Sequence, residues 1–252
     1  MTWDPDRYLG FEGHRLRPAL DLLARIPGIG GGEVWDLGCG TGNVTSILAE
    51  RFASASVHGL DDSAEMLAAA RRVAGIDWVL DDIASWEPPS PVRLVYSNAA
   101  LHWVPDHQTL FPKLARALAP GGILAVQMPR NFAEPTHAEL RATALRPRWV
   151  DAVGHIPGPA PVHEPAAYLG WLDSEVAEID IWETTYTQIL QGEDAVANWT
   201  RGTAGVPYLE ALGERGDEFY AEYAAALRSA YPIRPDGTTV LAFRRLFIVA
   251  TR

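Results

Sequence analysis

Cysteine and lysine are almost absent from this chain of 252 residues. The only cysteine is Cys39, so no disulfide can form within the chain, which is typical of a reducing compartment. The only lysine is Lys113, and 21 basic residues stand against 32 acidic ones, which gives a formal net charge of −11. Because duplex binding depends on neutralising phosphates with lysine and arginine, this charge disfavours a nucleic-acid partner.

Long apolar runs are missing as well. No stretch reaches the roughly 20 residues of a membrane-spanning helix, and residues 1–7 lack the basic and then apolar pattern of a signal peptide. The seven histidines show no metal-ligand spacing, so we expect no metal ion. We therefore expect a cytoplasmic protein without a membrane partner, and the 48% of apolar residues is enough for a large core.

The glycine-rich stretch 35–43 (WDLGCGTGN) is the most informative segment that is present. It predicts a buried strand, a tight turn through Gly38, Gly40 and Gly42, and a helix whose free N–H groups face the turn. The spacing is G-x-G-x-G rather than the G-x-G-x-x-G of dinucleotide sites, and Asp36 precedes the first glycine by two residues. A carboxylate so close to the turn repels a pyrophosphate and suits a cation such as the ammonium of a methionine moiety. This favours S-adenosylmethionine over NAD.

Acidic residues also close the next two apolar runs. Asp61, followed by Asp62, stands about 20 residues past the turn, where a carboxylate reaches the two hydroxyls of a ribose. Asp81 and Asp82, followed by Ile83, close the third run. These positions predict a nucleoside pocket at the carboxyl ends of parallel strands.

Predicted strands and helices alternate from residue 33 to residue 128, which indicates an α/β protein with a doubly wound, mostly parallel sheet. After Pro129 this alternation stops, and helical patterns at 135–150, 164–172 and 193–231 surround a late strand at 176–189. A last strand at 241–251 returns to the sheet. The expected division is a core of residues 1–129, 176–190 and 240–252, and a helical substrate cap of residues 130–175 and 191–239.

Short motifs spread over nearly the whole chain carry a family resemblance. They are Trp3-Asp4-Pro5 with Tyr8-Leu9 and Phe11, Arg15-Leu16-Arg17-Pro18-Ala19, Asp36-Leu37-Gly38-Cys39-Gly40, Asn98-Ala99 with Leu101 and Trp103, Gln127-Met128-Pro129 with Asn131, Glu134-Pro135-Thr136-His137, Asp180-Ile181-Trp182 with Thr184-Thr185-Tyr186, and Leu241-Ala242-Phe243 with Arg245-Leu246-Phe247-Ile248-Val249-Ala250. With these motifs the chain resembles the trans-aconitate 2-methyltransferases, a branch of the Rossmann-like methyltransferases that use S-adenosylmethionine. The resemblance implies a seven-stranded sheet with a helical cap.

The resemblance also implies how the cofactor binds. Its methionine end contacts the glycine turn, its ribose contacts the acid after the second strand, and its adenine contacts the segment after the third. Asn98 caps the pocket near the sulfonium, and the product is S-adenosylhomocysteine. The implied cofactor residues are Asp36, Gly38, Cys39, Gly40, Gly42, Asp61, Asp62, Asp82, Ile83 and Asn98.

The implied reaction converts one carboxylate of a small organic acid into a methyl ester. A carboxylate is already nucleophilic at neutral pH and a sulfonium is a good leaving group, so alignment suffices and no general base is needed. Holding a polycarboxylate calls for arginines and hydroxyl donors. The candidate substrate residues are Tyr8, Arg17, His102, Trp103, Asn131, Tyr186, Arg201, Tyr208 and Arg245.

Two departures from the family pattern leave the acid open. Val206 stands where the family carries an arginine, and Gln188 stands where it carries a histidine, so an acid less charged than trans-aconitate is an alternative. A hydroxyl or amine acceptor with His102 as base is a second alternative. A non-catalytic binding module on the same fold and an NAD-dependent oxidoreductase are the others. The chain is expected to be a monomer or a homodimer.

Overall fold

The structure, a computed structural model, describes residues 16–157 and 162–252. Within this part of the chain, seven strands form one sheet in the order β3-β2-β1-β4-β5-β7-β6. Strands β1 to β5 pair in parallel, and β7 runs antiparallel to β5. The predicted α/β class and mostly parallel sheet are therefore confirmed. The strands are β1 (Gly32–Leu37), β2 (Ala55–Asp61), β3 (Asp77–Leu80), β4 (Val92–Asn98), β5 (Leu118–Pro129), β6 (Glu178–Gln191) and β7 (Thr238–Thr251).

Helices connect the strands and fill the later half of the chain. Short 3-10 helices lie at Leu101–Trp103 and Gly213–Arg215. Ser63 caps the helix after β2, because its hydroxyl accepts a hydrogen bond from the amide of Met66 at 3.3 Å. The α-helices are α1 (Arg17–Arg25), α2 (Asn43–Arg51), α3 (Ala64–Ala70), α4 (His107–Arg116), α5 (Pro135–Ala144), α6 (Val150–Val153), α7 (Pro165–Leu172), α8 (Ala195–Arg201), α9 (Val206–Leu212) and α10 (Gly216–Leu227).

Several boundaries differ from the sequence prediction, and the helical pattern at 193–231 contains three α-helices and a short 3-10 helix. The helix expected over 135–150 is two helices, because Pro147 disfavours the helical conformation of the residue before it and cannot donate a helical hydrogen bond. Strand β5 begins at Leu118, which pairs with Val92. The Pro-Gly-Gly segment at 120–122 lies inside β5, where the register with β4 shifts.

The chain divides into two compact units, and the boundary falls within both β6 and β7. The first unit contains β1 to β5, and the second contains α5, α6 and α8 to α10. The role of the later helices as a substrate cap stays a prediction. The first unit comprises Met1–Pro129, Ala160–Thr184 and Arg245–Arg252, and the second comprises Arg130–Pro159 and Thr185–Arg244.

Each unit has a core of its own. In the first, α1 covers one face of the sheet, and the buried Tyr96 hydroxyl of β4 donates to the Ala19 carbonyl at 2.9 Å. In the second, aromatic side chains form the centre. Trp149 meets Phe219 edge to face, with 5.5 Å between the ring centroids. Tyr208 stacks on Phe219, with 5.6 Å between the ring centroids. Such aromatic pairs add to the stability that burial of their area provides.

Candidate functional site

Four neighbouring parallel strands end at one edge of the sheet. β3, β2, β1 and β4 lie side by side in that order, and their last residues are Leu80, Asp61, Leu37 and Asn98. Parallel pairing aligns their carboxyl ends, which is the edge where open α/β sheets bind ligands. All ten predicted cofactor residues lie on or directly after the ends of these four strands.

The turn after β1 is closely packed. Gly38 has a φ of +77°, and a Cβ at this position would lie 2.1 Å from the Cβ of Ala100. Gly42 has a φ of +80°, and a Cβ there would lie 2.5 Å from the Trp78 ring. Both positions therefore require glycine for conformation and for space. At Gly40, by contrast, a Cβ would meet no atom of the described residues within 4 Å, so the turn is open at this position.

Asp61 fixes the shape of the glycine turn. Its Oδ2 accepts a hydrogen bond from the Gly40 amide at 2.8 Å, and its Oδ1 accepts one from the Ser63 amide at 2.9 Å. A carboxylate offers about four acceptor positions, so two backbone bonds leave capacity for the two hydroxyls of a ribose. The side chain that the sequence assigns to the ribose thus also connects the end of β2 to the turn after β1.

Asp36 is a buried carboxyl group, only 2% exposed. Its Oδ2 accepts a hydrogen bond of 2.6 Å from the Thr45 hydroxyl in α2. Burial raises the pKa of Asp36 from 3.8 to about 7, the Thr45 bond opposes this rise, and the nearby Asp61 carboxylate adds to it. A cation bound beside Asp36 favours the ionised carboxylate, so charge at this position depends on what the site holds.

Cys39 remains a neutral thiol. Burial raises its pKa above the ordinary value, and the Asp36 and Asp61 charges raise it further. Since the thiolate is the nucleophilic form, the environment of Cys39 disfavours nucleophilic catalysis. The residue packs with Leu67, Ala70 and Trp78 instead.

The segment after β3 brings one apolar side chain to the glycine turn. The Cδ1 atom of the half-buried Ile83 lies 3.6 Å from where a Cβ on Gly38 would be. Asp82 is exposed, and its Oδ1 accepts a hydrogen bond from the Ala84 amide at 2.8 Å. Asp62 is also exposed. Ile83 therefore offers an apolar surface that a flat ring of a ligand could cover. The exposed Asp82 carboxylate offers hydrogen-bond acceptors at the outer side of the same segment.

The end of β4 is strained and polar. Ala99 has a φ of +54°, which is rare for a residue other than glycine and is found most often at functional sites. Among the described residues, the Asn98 side-chain oxygen is buried and has no hydrogen-bond partner. A buried acceptor without a donor is costly, so this oxygen is suited to meet a group that the site binds.

The turn that follows β4 carries His102 and Trp103. His102 is buried, and its ring lies 4.7 Å from that of Trp103, which is 65% exposed. Below this turn, the buried His107 donates from Nε2 to the Leu101 carbonyl at 2.9 Å and accepts at Nδ1 from the Tyr168 hydroxyl at 2.7 Å. Burial lowers the pKa of His107, in keeping with this neutral state, so α4 and α7 together fix the turn.

The predicted substrate residues are divided between the two units. Tyr8 lies outside the described residues. The first unit holds Arg17, His102, Trp103 and Arg245, and the second holds Asn131, Tyr186, Arg201 and Tyr208. Their convergence on one substrate stays a prediction.

In the second unit, Arg201 already has a carboxylate partner. It forms an ion pair with Asp217, and its guanidinium lies 5.1 Å from the centre of the Tyr220 ring. Tyr186 and Tyr208 are buried, and so is Asn131. Recruitment of Arg201 by a substrate therefore requires exchange of one carboxylate for another.

In the first unit, the two arginines differ in setting. Arg17 is the first residue of α1; its side chain is 58% exposed and lies 3.9 Å from Asp21. Arg245 is partly buried on β7 and donates to the side-chain oxygen of Gln127 at 3.4 Å. The Arg245 side chain is thus held by a residue of the neighbouring strand, whereas the Arg17 side chain is exposed on a helix.

Two polar residues of this edge received no role from the sequence. Thr45 contacts Asp36, and its position three residues into the helix after the glycine turn is the signal that was available. Gln127 is completely buried near the end of β5, a polar residue in an apolar strand. The family resemblance implied Asn98 at the end of β4, whereas Gln127 appeared in its motif without a role.

Within residues 16–157 and 162–252, no group of three or more histidine, cysteine or acidic side chains is arranged to hold a metal ion. In the same part of the chain, no helix is both long and apolar enough to cross a bilayer.

Comparisons with known proteins agree with this geometry. A family model described as a methyltransferase domain matches residues 34–122. The trans-aconitate 2-methyltransferase of Azoarcus sp. (strain BH72) is 44% identical over 253 residues, which is 100% of this chain and 99% of that protein. The trans-aconitate 2-methyltransferase of Streptomyces avermitilis is 46% identical over 260 residues, which is 99% of this chain and 96% of that protein. A solved S-adenosylmethionine dependent methyltransferase from Mesorhizobium loti has a TM-score of 0.53 at 23% identity, over 96% of this chain and 99% of that one, and so shares the fold.

Proposed function

Because this chain belongs to the family of the trans-aconitate 2-methyltransferases, we propose that it methylates one carboxylate of trans-aconitate or of a closely related small acid. The methyl donor is S-adenosylmethionine. The observation that carries the proposal is the buried Asp36 beside the glycine turn, since an acid at this place repels a phosphate and attracts a cation. Which acid receives the methyl group is the most specific part of the proposal.

The residues at the strand ends fit this donor. The glycine turn is open at Gly40, where a Cβ would meet nothing within 4 Å in the described part of the chain, Asp36 is placed to meet a positive charge, and Asp61 retains acceptor capacity for two hydroxyls. Ile83 offers an apolar surface for the adenine. The Asn98 oxygen, which lacks a partner among the described residues, suits the electropositive surroundings of a sulfonium.

When bound, S-adenosylmethionine supplies an activated methyl group on a positively charged sulfur. The protein's task is to orient that group, to hold a carboxylate oxygen in line with it and to exclude water. Asp36 and Asp61 would hold the donor at two separate points, its ammonium and its ribose hydroxyls. No side chain has to remove a proton, since an ionised carboxylate already carries the lone pair that forms the new bond.

The test is incubation with a radiolabelled methyl donor and a panel of mono-, di- and tricarboxylic acids. We expect base-labile label on an acid, because a methyl ester hydrolyses in alkali whereas a methyl ether or methylamine does not. His102→Asn distinguishes carboxylate methylation from the alternative. Methylation of a hydroxyl or amine with His102 as base would become slow in this variant, whereas the rate of carboxylate methylation would keep its dependence on pH. Label that resists alkali would contradict the proposal.

A further inference from the structure

A row of polar side chains crosses one face of the sheet at its carboxyl edge. Asp36 of β1 pairs in register with Tyr96 of β4, so the two side chains share a face. Asn98 lies two residues further along β4, on the same face, and pairs in register with Gln127 of β5. Gln127 pairs with Phe247 of β7, and Arg245 lies two residues from it, again on this face. Asp36, Asn98, Gln127 and Arg245 therefore succeed one another across four adjacent strands.

The charge of this row changes sign from one end to the other. Its first member is the acid on β1, its last is the arginine on β7, and two uncharged carboxamides lie between them. Neighbouring strands are about 4.8 Å apart and each residue advances about 3.3 Å along a strand. Three strand spacings and a four-residue offset along the strands therefore separate the two charged ends by about 20 Å. Such an arrangement suits a cation at the β1 end and an anion at the β7 end.

The orientation of the Gln127 carboxamide is fixed by Arg245. Guanidinium groups only donate hydrogen bonds, so the atom of Gln127 that faces Arg245 Nη1 at 3.4 Å is the oxygen. The side-chain nitrogen must then point elsewhere. Within the described part of the chain, this nitrogen is buried and meets no acceptor.

Asn98, on the adjacent strand, has a buried hydrogen-bond acceptor that lacks a donor within residues 16–157 and 162–252. Its buried oxygen meets no donor among the described residues, while the Gln127 nitrogen opposite meets no acceptor. Buried polar groups in native structures are nearly always satisfied, and two open groups in register point to ligand atoms. The Asn98 oxygen suits the cationic molecule that gives the methyl group, and the Gln127 N–H groups suit the anionic acid that receives it.

We propose that Gln127 is a substrate-binding residue whose side-chain N–H groups donate to a carboxylate of the acid, with Arg245 holding the carboxamide in the required orientation. This inference rests on the proposed function, since the acid is the ligand. Because Gln127 is completely buried, a carboxylate that accepts from it is removed from water, where a hydrogen bond to an ionised group is strong. Gln127 thereby contributes to the choice of an anionic acceptor over a neutral one.

The test compares Gln127→Glu, Gln127→Met and, as a control, Gln108→Glu. Gln127→Glu keeps an oxygen for Arg245 but removes both N–H donors and adds a negative charge. Gln127→Met removes the donors and adds no charge. Gln108 is exposed on α4 and does not belong to the row, and its replacement by glutamate changes the net charge equally.

Binding of the acid is measured by calorimetry with S-adenosylhomocysteine present, alongside KM, kcat and the affinity for S-adenosylhomocysteine itself. We expect Gln127→Met to weaken acid binding by about 10- to 100-fold, the loss of one charge-assisted hydrogen bond, and Gln127→Glu to weaken it further. The affinity for S-adenosylhomocysteine should stay within a few-fold of the wild-type value, and Gln108→Glu should resemble the wild type throughout.

The two ways of failing differ. A wild-type protein that binds and methylates no acid overturns the proposed function, and the acid ligand of Gln127 with it. A wild type that methylates an acid, together with a folded Gln127→Met or Gln127→Glu variant that binds this acid as tightly, overturns the role of Gln127 alone. Thermal melting of each variant identifies the folded ones, and Gln127→Met decides the matter if the glutamate does not fold.

Discussion

Binding of the cofactor should depend on pH through Asp36. Burial places the pKa of this carboxyl at about 7 in the folded protein, so about one site in ten is ionised at pH 6 and nearly all are at pH 8. If the cationic end of S-adenosylmethionine binds only beside the ionised form, its affinity should rise about tenfold between pH 6 and pH 8. The other titratable groups that face Asp36 are Asp61, Tyr96 and Cys39, and the pKa values of the last two are raised above their ordinary values.

The same group makes the unliganded protein less stable at neutral pH. The folded pKa of Asp36 lies above the unfolded value of 3.8, so between about pH 4 and pH 7 the folded state binds more protons than the unfolded one. The free energy of unfolding should therefore fall as pH rises through this window, by at most about 4 kcal/mol from this group. Asp36→Asn removes the effect, so this variant should be more stable than the wild type at pH 8.

The assay is calorimetry of S-adenosylmethionine binding between pH 5.5 and pH 8.5 in two buffers of different protonation enthalpy. The wild type should release a proton on binding below pH 7, and Asp36→Asn should bind more weakly with no such release. Thr45→Val should move the rise in affinity to higher pH, because the Thr45 hydrogen bond lowers the Asp36 pKa, and Thr45→Ser should restore it. A wild-type affinity that stays constant over this range would refute the reasoning.

Three further changes test other parts of the molecule. Gly38→Ala should lower the free energy of unfolding by about 2 kcal/mol or more in urea titrations and abolish cofactor binding, because the new Cβ meets the Ala100 side chain. Gly75 also has a positive φ but, among the residues that the structure describes, nothing within 4 Å of a Cβ, so Gly75→Ala should lower the free energy of unfolding by only about 1 kcal/mol. Tyr168→Phe should cost about 1–3 kcal/mol in the same titration, because it leaves the buried His107 Nδ1 without its donor; an unchanged midpoint would contradict the hydrogen bond. Val206→Arg, which introduces the arginine of the family pattern, should lower KM for trans-aconitate about tenfold relative to a dicarboxylic acid, as steady-state rates would reveal.

The convergence of Asp36, Asp61 and the glycine turn at one edge of the sheet was predictable from local patterns. A strand that ends in an acid, followed by a glycine turn, predicts both the place and the sign of a ligand charge. Asp36 and Asp61 were therefore identified without knowledge of the strand order. Parallel strands that alternate with helices must end at one edge, so the residues after each strand meet there wherever the strands lie in the sheet.

The contacts between distant segments were not predictable in this way. That Gln127 stands opposite Asn98 follows from the pairing of β4 with β5, and that Arg245 fixes its carboxamide follows from the antiparallel return of β7. Arg201 was proposed as a substrate residue from its motif alone, and only the packing of α8 against α10 reveals Asp217 as its partner. Side-chain partners of surface arginines depend on tertiary structure rather than on pattern.

The separation of charge along the sheet has a consequence for the order of binding. An acid carboxylate at Gln127 lies about 12 Å from Asp36, two strand spacings across and two residues along the strands, and an ionised Asp36 would repel it by about 1.4 kcal/mol at an effective dielectric constant of 20. A bound cationic cofactor offsets this repulsion, so the acid should bind about tenfold more tightly after the cofactor than before it. A non-reactive analogue with an amine in place of the sulfonium carries the same charge, whereas S-adenosylhomocysteine lacks it. Acid affinity measured by calorimetry should therefore be highest with the amine analogue, lower with S-adenosylhomocysteine and lowest without either, and equal affinity with the two analogues would contradict an electrostatic origin of the order.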